Sequence, residues 1–530
     1  MAILSSTIAL LALAGSNVAA VMAATTSSSA AAAAKTGATF ENGFDIRSTW
    51  ANLAPYADSD GYGAPKGSPP QCELSQVHLL ARHGERYPTY HEIDGGIIEN
   101  FASKLANFSA KHPKTAIGTG PLVFLNYWDY LLELDSLLPM GASTSASSGA
   151  ELWSRYGRLL YRADRTQRKW DNSMNVYPNG TARPKPIFRT TNYPRVFESA
   201  KWFLSGFFSN TDASSSEADY DLVSIPEVAG FNNTLSSYEA CTEGETAEET
   251  ALLTFIATFT QAPLKRLTKY FPKGFNLQAV DVYAMMNLCP YESALLGDSS
   301  FCSLFTENEW RSFEYALDLE FYGVYGWGSP SGRAQGIGYV QELAARLEGR
   351  VIPISHSSIN STWDDNTETF PLNQPLFMDM SHDNTIVSVL AALSLKYFNY
   401  GPNGLPGNVA TPPARTFNLA ELVPCGSWMA SEVWTCPSDV SFENLQEQMY
   451  KNPDLSSTAN TTDYIRFVLN SAPISLEGLS ACNGSVNGFC PVEKFLSAVP
   501  VLTKDAMYAE ACFGSYNITS QVANGNPLTS

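Results

Sequence analysis

Two apolar runs in this chain end abruptly at a histidine. In Gln71–Ala81 (QCELSQVHLLA), Val77, Leu79 and Leu80 lead directly into Arg82-His83-Gly84, which reads as a strand ending at a polar motif. Pro375–Met380 (PLFMDM) is a second strand-like run. It stops at Ser381-His382-Asp383-Asn384 and is followed by an apolar helical stretch, Thr385–Leu395. Between the two, apolar residues recur at helical spacing in Asn126–Leu138 (NYWDYLLELDSLL), Gly149–Trp170 and Arg195–Phe208, so Asn107 to Val280 reads as mostly helical. Strand, histidine motif and helix thus occur twice around a helical segment. The pattern predicts an α/β core interrupted by an α domain, with no internal repeat and no long linker.

The first residues change where this core is expected to work. Ile8–Ala14 is an apolar stretch followed by the small residues of Asn17-Val18-Ala19-Ala20 and Met22-Ala23-Ala24, so 1–24 reads as a signal peptide. Residues 25–39 read as a Ser/Ala-rich low-complexity leader. The apolar stretch is too short to span a bilayer, and no later run reaches about 18 apolar residues without charge, so no membrane association is expected. Asn-x-Ser/Thr sequons at Asn107, Asn179, Asn232, Asn360, Asn460, Asn483 and Asn517 fit a secreted glycoprotein of the extracellular or cell-wall space. The nine cysteines contain no Cys-x-x-Cys pair, which favours disulfides over a metal site and leaves one thiol unpaired.

Over 530 residues the composition is 44% hydrophobic and 16% charged, enough to bury a core and inconsistent with a disordered chain. The net charge, 33 − 52 = −19, gives no basic face for nucleic acid and suits an acidic working pH.

The candidate chemistry lies in the two histidine motifs. Ala81-Arg82-His83-Gly84-Glu85-Arg86-Tyr87-Pro88 sets one histidine between two arginines at the carboxyl end of a strand, the edge where open α/β sheets bind ligands. Arg82 and Arg86 offer bidentate forks for phosphate oxygens. Their charge disfavours protonation of His83 and leaves a nucleophilic imidazole nitrogen. Taken alone, an arginine pair here is as readily a surface ion-pair partner. Likewise, Ser381 and Asp383 could be an ordinary helix cap and first-turn acid. Together the motifs supply a nucleophile, phosphate forks and a proton donor.

These motifs, in this order, resemble the histidine acid phosphatases, particularly the fungal secreted phytases and acid phosphatases. The likeness runs from about Phe40 to Cys512 and includes Tyr322–Gly326 and Ala334–Val340. It implies a histidine-phosphatase-like α/β core sheet with helices on both faces, formed by 40–106 and 281–530, and an inserted, mostly helical smaller domain at 107–280. It further implies that His83 attacks phosphorus, that Arg82, Arg86, a downstream arginine and His382 bind the phosphate, and that Asp383 protonates the leaving alkoxide. In Ile187–Arg195 the match falls on Arg195, followed eight residues later by Phe203, with Arg189 as runner-up. The same resemblance pairs Cys72 with Cys436, Cys241 with Cys512, Cys289 with Cys302 and Cys482 with Cys490, leaving Cys425 as a buried small hydrophobe. The expected activity is that of a secreted acid phosphomonoesterase, with phytase favoured over a broad acid phosphatase. It would act through phosphohistidine on a small anionic phosphate ester, without metal or cofactor. A phosphoglycerate-mutase-like isomerase is opposed by the signal, the sequons and the cysteines. A non-catalytic binding protein is opposed by the presence of both His83 and Asp383.

Overall fold

The two apolar runs form β1 (Glu73–Arg82) and β4 (Leu376–Ser381) in a computed structural model that describes residues 42–160, 180–208, 219–241, 249–446, 460–516, 518 and 520–528. The signal peptide, the leader, the 161–170 part of the Gly149–Trp170 reading and the sequons at Asn179 and Asn517 lie outside the described residues. β1 and β4 pair in parallel, with Val77 opposite Leu376 and Arg82 opposite Ser381. Two short strands, β2 (Ile187–Thr191) and β3 (Asp221–Ile225), extend the parallel side. On the other side β5 (Trp428–Pro437) runs antiparallel to β1 and is followed by β6 (Thr461–Leu469), β7 (Ala472–Pro473) and β8 (Cys490–Pro491). The order is β3-β2-β4-β1-β5-β6-β7, with β8 also on β6.

The period-2 alternation of a strand decides which core each residue joins. Val77, Leu79 and Ala81 of β1, with Leu376, Met378 and Met380 of β4, meet Leu152, Tyr156, Phe203 and Phe207 from the helices Pro139–Tyr156 and Pro194–Phe208. On the opposite face Leu80 joins Ile337, Val340, Leu390 and Phe495 from Gly332–Leu347, Asp383–Ala392 and Val492–Ala506. Helices therefore cover both faces, as a sheet with apolar residues on both sides requires.

Two readings of local structure are corrected. Asn126–Leu138 is not a helix: a 3-10 turn covers Gly120–Asn126, and the chain then runs as irregular backbone, bending at Leu134–Asp135, beside the first motif. Its backbone bonds go to that motif, from Asp135 N to Pro88 O (2.8 Å), from Leu138 N to Glu85 O (2.9 Å), and from Tyr87 N to Ser136 O (2.9 Å). Tertiary partners thus replace the i→i−4 ladder that the spacing suggested. The segment 107–280, read as mostly helical, supplies β2 and β3 to the central sheet, because five-residue strands give too little pattern to separate from helix. The helices Ala279–Leu296 and Glu307–Val324, beyond 280, pack with Ile97–Lys111 and Glu249–Phe259.

Gly84 is required by close approach. A Cβ there would lie 2.2 Å from the Gly141 carbonyl oxygen, and one on Gly141 would lie 2.2 Å from that of Glu85. The first motif and the start of the Pro139–Tyr156 helix thus touch backbone to backbone.

Disulfides join Cys72 to Cys436, Cys241 to Cys512, Cys289 to Cys302 and Cys482 to Cys490, and Cys425 is buried without one. No helix among the described residues is long and apolar enough to cross a membrane.

Two tests follow from this architecture. Denatured without reductant, the protein should titrate one thiol, from Cys425, against nine after reduction; a count of zero or three would refute the pairing. The second concerns His78, whose ring stacks on Phe377 at 4.4 Å and whose nitrogens are buried without hydrogen-bond partners. Burial first, and then the charge of Arg346, hold its protonation far below the usual range. Below about pH 6.5 the unfolded chain binds a proton there that the folded chain refuses, so stability falls as pH falls, by about 1.4 kcal/mol per unit. His78→Phe should therefore raise stability relative to the parent at pH 4 more than at pH 7 in urea unfolding. An equal change at both pH values would refute the account.

Candidate active site

The parallel pairing of β1 and β4 brings both motifs to the carboxyl edge of the sheet, where the His83 and His382 rings meet edge to face with centroids 5.6 Å apart. His83 Nδ1 lies 2.7 Å from Gly84 O. A carbonyl only accepts, so Nδ1 carries the proton and Nε2 keeps its lone pair. Arg195 Nε donates to that lone pair at 3.3 Å. Burial, followed by the charges of Arg195, Arg82, His382 and Arg86, holds the imidazole neutral far below its ordinary range.

Each arginine around His83, and His382 with them, is backed by a carboxylate. Arg86 Nη1 donates to Asp94 Oδ2 (3.1 Å) and to the Tyr291 hydroxyl (3.1 Å), which in turn donates to Asp94 Oδ1 (2.6 Å). Arg195 Nη1 donates to Asp135 Oδ1 at 2.9 Å, and its guanidinium lies over the Tyr193 ring. His382 Nε2 is 2.9 Å from Glu227 Oε2. Arg82 Nη2 is 2.9 Å from Asp383 Oδ2, and its Nη1 donates to the carbonyls of Asn52 and Val423.

Asp383 opens the helix Asp383–Ala392, with its Oδ1 accepting from the Asn384 backbone N–H (2.9 Å) and its Oδ2 from Asn52 Nδ2 (3.0 Å). Burial alone would raise its pKa, but Arg82, Arg86 and the Asn52 bond hold it below the ordinary carboxylate value. The unliganded site therefore holds a carboxylate. Among the described residues no group of three or more His, Cys, Asp and Glu is arranged to hold a metal ion.

The residues 73–470 match the profile of the Histidine phosphatase superfamily (branch 2). The chain belongs to this superfamily. Phytase A of Aspergillus oryzae is 30% identical over 484 residues, covering 88% of this chain and 91% of that protein. A Phytase A of Aspergillus terreus is 34% identical over 367 residues, covering 66% and 71%. Among solved structures, the phytase from D. castellii superposes with a TM-score of 0.66 at 21% identity, covering 89% of each chain, which reflects the shared fold. As a branch-2 histidine phosphatase, the chain is a phosphomonoester hydrolase whose substrate is a phosphate ester.

In this histidine phosphatase a cavity of about 430 Å³ is lined by His83, Arg86, Arg195, His382 and Asp383, while Arg82 stands behind Asp383 and outside the lining. Strand alternation accounts for this, since Arg82 points to the same side of β1 as Leu80. Arg189 is not in the cavity either. It is buried on β2 in an ionic cluster, donating to Asp379 (2.7 Å) and Glu342, with Asp364 at 3.4 Å, and Arg346 shares Asp379.

Asp94, Asp135, Glu227 and Asn52 were missed in sequence because each is a lone polar residue outside any motif. Only their contacts with the site side chains reveal them.

Arg195 and Arg189 should separate cleanly in experiment. Arg195→Ala should reduce phosphatase turnover by about 10²–10³-fold with the fold intact. Arg189→Met removes the cation that Asp379, Glu342 and Asp364 share, leaving only Arg346 on Asp379, and should cost about 3–5 kcal/mol of stability, while the folded fraction keeps its turnover. Rates for purified folded protein, alongside urea unfolding, decide it; an active Arg195→Ala protein would overturn the assignment.

Proposed function

We propose that this protein is a secreted acid phosphomonoesterase that hydrolyses inositol hexakisphosphate through a phosphohistidine on His83. The observation that carries the reaction is the His83 Nε2 lone pair, held unprotonated in a cavity that Arg86, Arg195 and His382 also line. An incoming phosphoryl group places its oxygens against those side chains and its phosphorus before Nε2. The fixed positive groups offset the charge that spreads over the phosphoryl oxygens during transfer.

The ionised state of Asp383 assigns its two tasks an order. An alkoxide leaves poorly without a proton. At acidic pH a phosphate monoester carries one itself, because its second pKa is about 6. Asp383 accepts that proton and passes it to the leaving oxygen as the P–O bond breaks and the Nε2–P bond forms. The alcohol departs and Asp383 is again a carboxylate, ready to take a proton from the water that attacks phosphohistidine. Rates should fall above about pH 6, where the substrate loses its proton. Inositol hexakisphosphate as substrate rests on the relatives named Phytase A, and secretion on the apolar N-terminus and the disulfides.

A broad acid phosphatase is the second reading, favoured by the rest of the cavity lining. It includes Tyr90, Phe321 and Tyr325 together with Glu239 and Glu320, and the lining contains no lysine among the described residues. Comparing kcat/KM for inositol hexakisphosphate and p-nitrophenyl phosphate distinguishes the two.

The mechanism is tested by leaving groups. His83→Ala should abolish phosphoenzyme formation with every ester. Asp383→Asn should slow the single-turnover chemical step with an alkyl ester by about 10²–10⁴-fold, and far less with p-nitrophenyl phosphate, whose phenolate leaves unaided. Equal losses for both esters would remove Asp383 from proton transfer.

A further inference from the structure

Behind His382 lies a carboxylate that does not line the cavity. Glu227 follows β3 by two residues and is 7% exposed. Its backbone N–H donates to Asn192 Oδ1 (2.8 Å), and Asn192 N donates to Ile225 O (2.8 Å), so the ends of the neighbouring strands β2 and β3 fix its place. One carboxylate oxygen accepts from the Tyr238 hydroxyl (2.6 Å), and the other lies 2.9 Å from His382 Nε2. Tyr238 is itself anchored, since Cys241 N donates to Tyr238 O (3.2 Å) and Cys241 is bridged to Cys512. Burial would raise the Glu227 pKa, but His382 and the hydrogen bonds from Thr191 and Tyr238 bring it to about 2.

We propose that Glu227 is the positioning residue of the phosphoryl site, holding the His382 ring through Nε2 so that Nδ1 is a hydrogen-bond donor toward the bound phosphoryl group. This rests on reading the cavity as the phosphoryl site. With Nε2–H committed to Glu227, a neutral His382 would turn the Nδ1 lone pair toward an oxyanion, which repels. A ring that is charged against the Glu227 carboxylate carries a proton on both nitrogens and can donate to both. The carboxylate thereby makes Nδ1, the nitrogen it does not touch, a donor rather than an acceptor. It also fixes the ring's rotation, in a box formed by Tyr193, Tyr238 and His83 with centroids 6.4, 5.8 and 5.6 Å away. Among the described residues the titratable groups around the ring are Glu227, Tyr193, Tyr238, His83 and the adjacent Asp383, with Arg195 behind His83 and Tyr193. Glu227 is the one hydrogen-bonded to it among the described residues.

The test is Glu227→Gln, which keeps the size and an accepting oxygen but removes the charge. With inorganic phosphate as the probe, the inhibition constant near pH 6 should rise about tenfold, and kcat/KM for p-nitrophenyl phosphate should fall in step. Both losses should shrink toward pH 4, where an ordinary imidazole is protonated without help from a carboxylate. A purely structural role predicts a loss that does not depend on pH, and that result, or unchanged phosphate inhibition, overturns the proposal. Should the variant fail to fold, ¹⁵N spectra of the histidine rings in the wild-type phosphate complex decide: a doubly protonated His382 supports the proposal and a neutral ring overturns it. His382→Ala separates this inference from the reading beneath it. If His382→Ala loses phosphate affinity and Glu227→Gln does not, only the role of Glu227 fails. If His382→Ala binds phosphate and turns over as the parent does, the reading of the cavity fails.

Discussion

The parallel register of β1 on β4 is the constraint from which the site follows. Arg82 opposite Ser381 puts the next residue of each strand, His83 and His382, side by side at the sheet edge. A slip of one residue would turn Val77, Leu79 and Ala81 from one core to the other and carry the motif side chains with them. Register is therefore held by the apolar faces rather than by the polar residues that use it. The helices on both faces seal it, and the backbone contact of Gly84 with Gly141 seats the first motif against the start of a helix.

Charge is then balanced pair by pair. Arg82, Arg86, Arg195 and His382 face Asp383, Asp94, Asp135 and Glu227 at 2.9–3.1 Å. Burying the three arginines without such partners would be costly. With them, the site is pre-oriented, and His83, which has no carboxylate partner among the described residues, stays neutral. The excess of acidic residues over the whole chain matters little here, since exposed charges beyond a Debye length of about 8–10 Å are screened. A second buried ionic cluster, Arg189 and Arg346 with Asp379, Glu342 and Asp364, ties β2 and β4 to the Gly332–Leu347 helix. It consists of the same residue types as the site but is closed to the cavity, so residue type alone does not distinguish a ligand-binding arginine from a structural one.

What the sequence determined is what can be encoded in adjacent residues. An apolar run ending at His83 or His382 specifies a strand and the motif at its end, because strand and motif are local. The resemblance to a known family added the disulfide partners and the choice of Arg195, which no spacing in this chain supplies. The tertiary structure decided the rest. Asn126–Leu138 has helical spacing, yet its backbone bonds go to Glu85–Pro88, an alternative that exists only after the chain has folded. β2 and β3 are too short to show a period, and their identity as strands comes from the neighbours they pair with. Asp94, Asp135 and Glu227 carry no motif, and each acquires its role from the site side chain that folding sets against it. Arg82 stands in the most legible motif of the sequence, but strand alternation turns it behind Asp383, because a side chain's direction follows from the sheet and not from its neighbours in sequence.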